Sequence, residues 1–325
     1  MQLGIGFTTL SILLALACEP AKFSSPITAA QPVSDESVRA ELVRLNKETG
    51  LALAFYGFNA VHIVTFKKRG TYEGKPLVRN ESGGEISPDG TQISLEIGHY
   101  LENGSISLGI IRPDGSNLRE YPDVSPSQVC WSHDHSKLAM TLFDKDPYVN
   151  LAVFDINSDV TQVVDPRVVD GHLTSQCWSP DDKQIVYETE TKIYVQEIGK
   201  IESRVVAQGT EPTWSPDGNW VAFRDHDTYY AIHPDGQGRK KLFHNHWGRA
   251  VSGLCWSPDS RIVAYVRELG FLQGGALDAE VNQLRVRRLE DGSEYRLADG
   301  VDAGVALQWV TNRDLATIVQ SQAAK

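Results

Sequence analysis

The sequence predicts an all-β ring: six copies of a four-stranded antiparallel unit, with one short helix ahead of them. Three observations carry this prediction. Six segments align with one another: GGEISPDGTQISLEI from Gly83, SQVCWSHDHSKLAMTLF from Ser127, SQCWSPDDKQIVYE from Ser175, EPTWSPDGNWVAF from Glu211, SGLCWSPDSRIVAYV from Ser252 and VALQWVTNRDLATIV from Val305. One slot in these segments is filled by Ile86, Trp131, Trp178, Trp214, Trp256 and Trp309, so five of the seven tryptophans serve a single purpose. The slots lie 45, 47, 36, 42 and 53 residues apart, room for four short strands but too little chain to bury both faces of a sheet alone. Stacking such units around an axis gives a six-bladed β-propeller.

Within each unit the residues up to the slot form the first strand. Ser-Pro-Asp-Gly then makes a tight turn, in which proline fixes φ and glycine suits the last position. A β-branched and aromatic run follows, such as QIVYE, WVAF or RIVAYV, apolar on both sides and therefore buried on both faces. Third strands are read at Ser105 to Ile111, Leu151 to Ile156, Lys192 to Ile198 and Gln283 to Leu289. A second tight turn recurs at Pro113 to Gly115, Pro234 to Gly236, and Asp291 and Gly292, before a short fourth strand.

The sixth slot lies near the carboxyl end, with strands expected at Val305 to Trp309 and Leu315 to Val319. Ala60 to Phe66 and Lys75 to Arg79 supply the missing pair, two strands from each end, which removes an exposed sheet edge. Leu51 to Phe58 matches no blade strand and reads as a segment that caps or plugs the ring.

Residues 1–17 carry no charged side chain, and Ser11 to Ala17 is apolar but too short to span a bilayer. With Ala15-Leu16-Ala17 before Cys18, this reads as an export signal, although no Lys or Arg precedes it. Cys18 is the candidate lipidation site, and through such a lipid the only expected membrane attachment. Residues 18–33 read as a flexible tether. Ser34 is placed as the cap of an amphipathic helix with Val38, Leu42 and Leu45 on one face and Gly50 at its end. Residues 34–58 are thus helix and packing segment, and 59–325 the ring. Forty-two acidic against 31 basic residues give a net charge of −11, which excludes a main role on nucleic acid.

Trp-Ser-Pro-Asp-Gly followed by an I-A-F-type strand resembles the TolB-like, WD-repeat-like propeller family. Trp214 to Gly218 match in full; Trp178 to Asp181, Trp256 to Asp259 and Ser87 to Gly90 match four positions each, whereas Trp131 and Trp309 head divergent turns. The resemblance covers roughly residues 60–320. It implies the fold, with binding proteins, peptidase accessory domains and lyases all using such rings. Too little chain precedes the first expected blade strand for the α/β domain that comes before the propeller in TolB itself.

Topology puts the first and third turns of every blade on one rim. The second-to-third-strand and blade-to-blade connections fall on the other, and these contain the irregular segments. His244, His246, Trp247 and Arg249 form the richest cluster there, beside Arg224, Asp225, His226 and Asp227. His-x-His with carboxylates is a zinc-like donor set, but a solvated binding loop is the simpler reading, and no metal or cofactor is assigned. Trp247, outside the repeat slot, suits stacking on a sugar or anchoring a peptide. Asp144 and Asp146 have part of a calcium-loop spacing, and Glu188 with Glu190 could serve acid–base chemistry. No G-x-S-x-G, H-E-x-x-H or P-loop occurs. Cys130, Cys177 and Cys255, each preceding a slot tryptophan, are expected to be buried, well-separated free thiols. The expectation is a periplasmic or secreted, non-catalytic module binding a protein, peptide or glycan of the cell envelope. The alternative is a carbohydrate-cleaving propeller enzyme with His and Asp at the channel mouth.

Overall fold

The computed structural model describes residues 36–57, 60–64, 66, 72–76, 81–99, 105–143, 149–165, 175–244, 251–267, 282–301 and 307–310. Cys18, with the expected signal and tether, lies outside them.

The helix forms as the apolar spacing predicts. α1 spans Glu36–Thr49 and buries Val38 and Leu42. It ends where Gly50 takes φ +76° and donates its N–H to the Asn46 carbonyl at 3.0 Å, a conformation that glycine adopts without strain. Asn46 Nδ2 donates to the Leu51 carbonyl at 2.7 Å and ties the helix to the first strand.

Three strands come next: β1 (Ala52–Gly57), β2 (Ala60–Val64) and β3 (Tyr72–Pro76). Blade 1 contains β4 (Glu81–Ile86), β5 (Ile93–His99), β6 (Ser105–Ile111) and β7 (Arg119–Tyr121). Blade 2 has β8 (Pro126–Trp131), β9 (Lys137–Phe143), β10 (Val149–Asp155) and β11 (Val160–Asp165). Blade 3 has β12 (Gln176–Trp178), β13 (Gln184–Thr189), β14 (Lys192–Glu197) and β15 (Ser203–Gln208). Blade 4 has β16 (Thr210–Trp214), β17 (Val221–Asp225), β18 (Thr228–Ile232) and β19 (Lys240–His244). Blade 5 has β20 (Val251–Trp256), β21 (Ile262–Arg267), β22 (Gln283–Arg288) and β23 (Glu294–Asp299). Each is a consecutive antiparallel meander. The last strand, β24 (Leu307–Val310), joins the first three in the order β24-β1-β2-β3.

That closing sheet corrects one expectation. The carboxyl side supplies one strand of it and the amino side three. The apolar run after Leu51 does not plug the ring; it fills the second place, with Leu53 opposite Trp309 and Ala54 opposite Gln308. The second strand of a blade is covered on both faces, and Leu-Ala-Leu-Ala meets that demand. Residues 315–319, expected in that place, lie outside the described residues.

Every gap between neighbouring blades holds its own apolar cluster, and each slot residue faces the preceding blade. Ile86 packs with Ala52, Ala54 and Val310, Trp131 with Leu108 and Ile110, and Trp178 with Leu151 and Val153. Trp214 lies with Val186 and Val195, Trp256 with Tyr229 and Phe243, and Trp309 with Ile262 and Leu284. Val38 and Leu42 of α1 extend this last cluster, and Glu41 Oε2 holds Arg288 Nη2 at 3.0 Å.

The serine of each turn motif is a clasp. Its Oγ donates to the aspartate two residues on and accepts the N–H five residues on. Ser87–Asp89 is 2.7 Å, Ser179–Asp181 2.7 Å, Ser215–Asp217 2.5 Å and Ser257–Asp259 2.5 Å. The divergent turn after Trp131 keeps the clasp, with Ser132 to Asp134 at 2.8 Å and Lys137 N to Ser132 Oγ at 2.9 Å. Serine and aspartate, rather than proline and glycine, are therefore the common element of these five turns.

Candidate functional site

The two rims differ as the topology requires. The first turns of neighbouring blades are bonded to each other, Asp182 of blade 3 accepting His133 N at 2.8 Å and Asp134 N at 2.9 Å from blade 2, and third turns bond to first turns, as where Ile156 N donates to the Ser136 carbonyl at 2.9 Å. On the opposite rim lie the two longest connections between strands, 166–175 and 268–282.

On that long-connection rim, blade 4 carries the described part of the expected cluster. β17 and β18 are joined by the two residues His226 and Asp227, with Asp225 opposite Thr228 and His226 at φ +53°. Alternation along β17 sends Arg224 and Asp225 to opposite faces. Arg224 faces blade 5, and its Nη2 pairs with Glu211 Oε1 at 2.7 Å. Tyr229 Oη donates to Glu211 Oε2 at 3.1 Å and lies 2.8 Å from the Val251 carbonyl. Glu211 N in turn donates to Glu188 Oε2 at 2.8 Å. Burial raises the pKa of the Glu211 carboxyl despite the neighbouring guanidinium, and burial also raises that of the Tyr229 phenol.

Asp225 turns towards blade 3. Its Oδ2 binds Arg239 Nη2 at 2.6 Å and its Oδ1 meets His226 Nδ1 at 2.7 Å. The Arg239 hydrogen bond leads in holding the Asp225 pKa below the usual carboxylate range. Arg239 also lies over the Tyr230 ring, 3.7 Å from its centroid. His226 is almost fully exposed, Asp227 is exposed, and His244 meets Thr228 Oγ1 at 2.8 Å across the outer pair of strands. Blade 4 thus brings Arg224, Asp225, His226, Asp227 and His244 to one rim, but in two groups on opposite sides of the sheet. His246, Trp247 and Arg249 lie outside the described residues, as do Asp144 and Asp146. Glu188 and Glu190 do not converge: Glu188 is buried, while Glu190 is exposed in the β13–β14 turn. Among the described residues no three His, Cys, Asp or Glu side chains gather as a metal-binding set.

A second polar feature encircles the axis. The residues preceding the slots are Glu85, Cys130, Cys177, Thr213, Cys255 and Gln308, all half-buried on the innermost strands. Trp131 donates its backbone N–H to Glu85 Oε2 and its indole N–H to the Glu85 carbonyl, both at 3.0 Å. Burial pushes the Glu85 carboxyl up to about 8, against the pull of that backbone N–H. The three described cysteines are free thiols. Each of the first two thiols donates to the carbonyl of its own following tryptophan, Cys130 at 3.8 Å and Cys177 at 3.5 Å, and Trp178 Nε1 donates to the Cys130 carbonyl at 3.1 Å, which brings the innermost strands of blades 2 and 3 side by side. Equivalent positions are far apart at a propeller's rim but adjacent at its narrow axis. A concavity of about 580 Å³ between Thr91 and Arg119 belongs to the tight-turn rim of blade 1, away from these groups.

No protein-family model matches the chain, and no curated protein sequence matches it. Solved structures do. TolB from Acinetobacter baumannii superposes with a TM-score of 0.60 at 12% identity, over 80% of this chain and 66% of its own. The chain therefore spans slightly less than two thirds of that protein. A putative TolB from Agrobacterium tumefaciens gives 0.56 at 14% identity, covering 80% of this chain and 98% of the other. Hydrazine synthase from Kuenenia stuttgartiensis gives 0.50 at 17% identity over 67% of this chain and 66% of that one. Proteins with different names thus share the ring, and at these identities the likeness is one of architecture: the fold is a TolB-like six-bladed β-propeller.

Proposed function

We propose that the chain is an exported, non-catalytic binding module of the cell envelope whose long-connection rim holds a protein segment. The observation that carries this reading is the asymmetry of the rims. On one the first turns are bonded across blades, and the other carries the two longest connections, 166–175 and 268–282, beside a frame of paired charges. Arg224 with Glu211 and Asp225 with Arg239 neutralise each other, so these groups stiffen blade 4 instead of standing ready as acid and base. The contact set proposed for it is Trp247, His244, His246, Arg249, His226 and Asp227, together with Arg224 and Asp225. Export is supported by the apolar run Ser11 to Ala17 and the small residues before Cys18.

Crosslinking and peptide mapping together test the rim. Partner crosslinks are expected at 224–227 and 244–249, with affinity falling about 30-fold in Trp247→Ala, as for a central aromatic anchor. Crosslinks confined to the tight-turn rim, or unchanged binding by Trp247→Ala, refute the assignment. Competition by free oligosaccharide would transfer the same rim to a glycan.

A further inference from the structure

The concavity of about 580 Å³ in blade 1 lies on the tight-turn rim, opposite the rim assigned to a partner. Ile110, Ile111, Arg112, Asn117, Leu118 and Arg119 line it. Ile110 and Ile111 are buried, while Leu118 is 43% exposed, so the wall is part cationic and part apolar. Strand alternation sets the two arginines on one face. Arg119 is the cross-strand partner of Ile110, and Arg112 stands two residues beyond Ile110. The Arg112 backbone N–H donates to the Ser116 carbonyl at 3.0 Å, which carries the ladder one step past β6. All three side chains thus project to the side of the sheet on which Ile110 packs with Trp131 of blade 2.

Neither guanidinium meets an acid. Asn117, at φ +55°, accepts from Arg112 Nη1 at 3.2 Å and Nε at 3.3 Å through its side-chain oxygen, so a neutral group orients that guanidinium. Arg119 lies 5.9 Å from the centroid of the Tyr121 ring. Among the described residues neither forms an ion pair, although the chain carries a net charge of −11. Arginines of other blades are matched to carboxylates, as Arg224 is to Glu211, Arg239 to Asp225 and Arg261 to Glu290. The acids of the two flanking turns are engaged by their own turns: Asp89 accepts from Ser87 and Thr91, and Asp114 from Ser116.

We propose that this concavity binds a phosphate monoester, with Arg112 and Arg119 on the phosphate and Ile110, Ile111 and Leu118 against the organic group it carries. Two guanidiniums balance the charge of about −1.5 to −2 that a monoester bears near pH 7, and their N–H forks match its oxygens. A carboxylate, with a single charge, leaves one of them unmatched. The space is that of a small-molecule site, for which roughly 300–1,000 Å³ is usual. The monoester belongs to a soluble small molecule or to a lipid headgroup, and the chemistry recognised is the same.

Isothermal titration of the full, folded chain with phenyl phosphate tests the site. One saturable site is expected, and Arg112→Gln and Arg119→Gln should each weaken it on the order of tenfold. Benzoate should bind more weakly than phenyl phosphate by a similar factor. Leu118→Ala should weaken phenyl phosphate but not inorganic phosphate, and Arg261→Gln should change neither. Co-sedimentation with vesicles containing phosphatidic acid, lost in Arg112→Gln, would place the monoester on a lipid; phenyl phosphate binding without co-sedimentation would place it on a soluble molecule. The proposal is overturned if phenyl phosphate shows no saturable binding up to about 10 mM, if benzoate binds equally well, or if both arginine variants bind as the wild type does.

Discussion

Glu85 shows how a position near the axis alters an ordinary carboxyl. The backbone N–H of Trp131 holds it, yet burial raises its pKa from 4.5 to about 8. The folded chain therefore binds this proton more tightly than the unfolded chain does. Below pH 4.5 both states carry it and the full benefit is present; between 4.5 and 8 the folded state must give up part of that benefit. Stability is expected to fall with rising pH across this window, with a slope approaching about 1.4 kcal/mol per pH unit from this group. Glu85→Gln keeps an oxygen for the Trp131 N–H and removes the titration. Thermal melts at pH 5 and pH 8 check this: the variant should lose this part of the slope and be the more stable protein at pH 8. Parallel melting curves for the two proteins would contradict it. The unusual environment of Glu85 was not legible in the sequence. A glutamate before an isoleucine in a glycine-rich strand shows neither its depth nor the indole above it. The tryptophan slots were legible because one bulky residue recurs where every blade needs a wedge.

Among the elements, β1 shows both the reach and the limit of sequence reasoning. Its apolar run is legible as a segment to be buried but reads as a cap or plug, because its partner, Leu307 to Val310, lies at the other end of the chain and no local pattern gives that pairing. The helix before it was readable because the spacing of Val38 and Leu42 and the stop at Gly50 are local signals. Repeat alignment shows that two residues are equivalent without giving the radius at which they sit. Leu53 of β1 is completely buried with Val38, Leu42 and Trp309. Leu53→Ala is expected to remove about 3 kcal/mol in chemical denaturation. Ile201→Ala, at a side chain 79% exposed, should change stability by less than about 0.5 kcal/mol. Equal effects would mean that β1 is not integral to the closing sheet.

At the level of the molecule, six inter-blade clusters are joined end to end around the ring, and the closing sheet completes the circuit. Opening β24 from β1 exposes the cluster beneath α1 on one side and the cluster around Ile86 on the other. The amides of β1 and β24 should therefore exchange hydrogen together, with one shared opening free energy that Leu53→Ala lowers at both strands. Independent exchange at the two strands would show that the ring opens there without cooperation.

Blades 1 to 5 fold back on themselves from neighbouring stretches of chain, whereas the sixth must wait until Leu307 to Val310 returns to meet Ala52 to Phe55. Closing so long a loop is slow compared with forming a hairpin. A chain delivered amino end first would spend that interval as an open arc, its first and last blades each showing an uncovered apolar flank. Whatever shields those flanks during synthesis or transport governs how much of the protein survives to close.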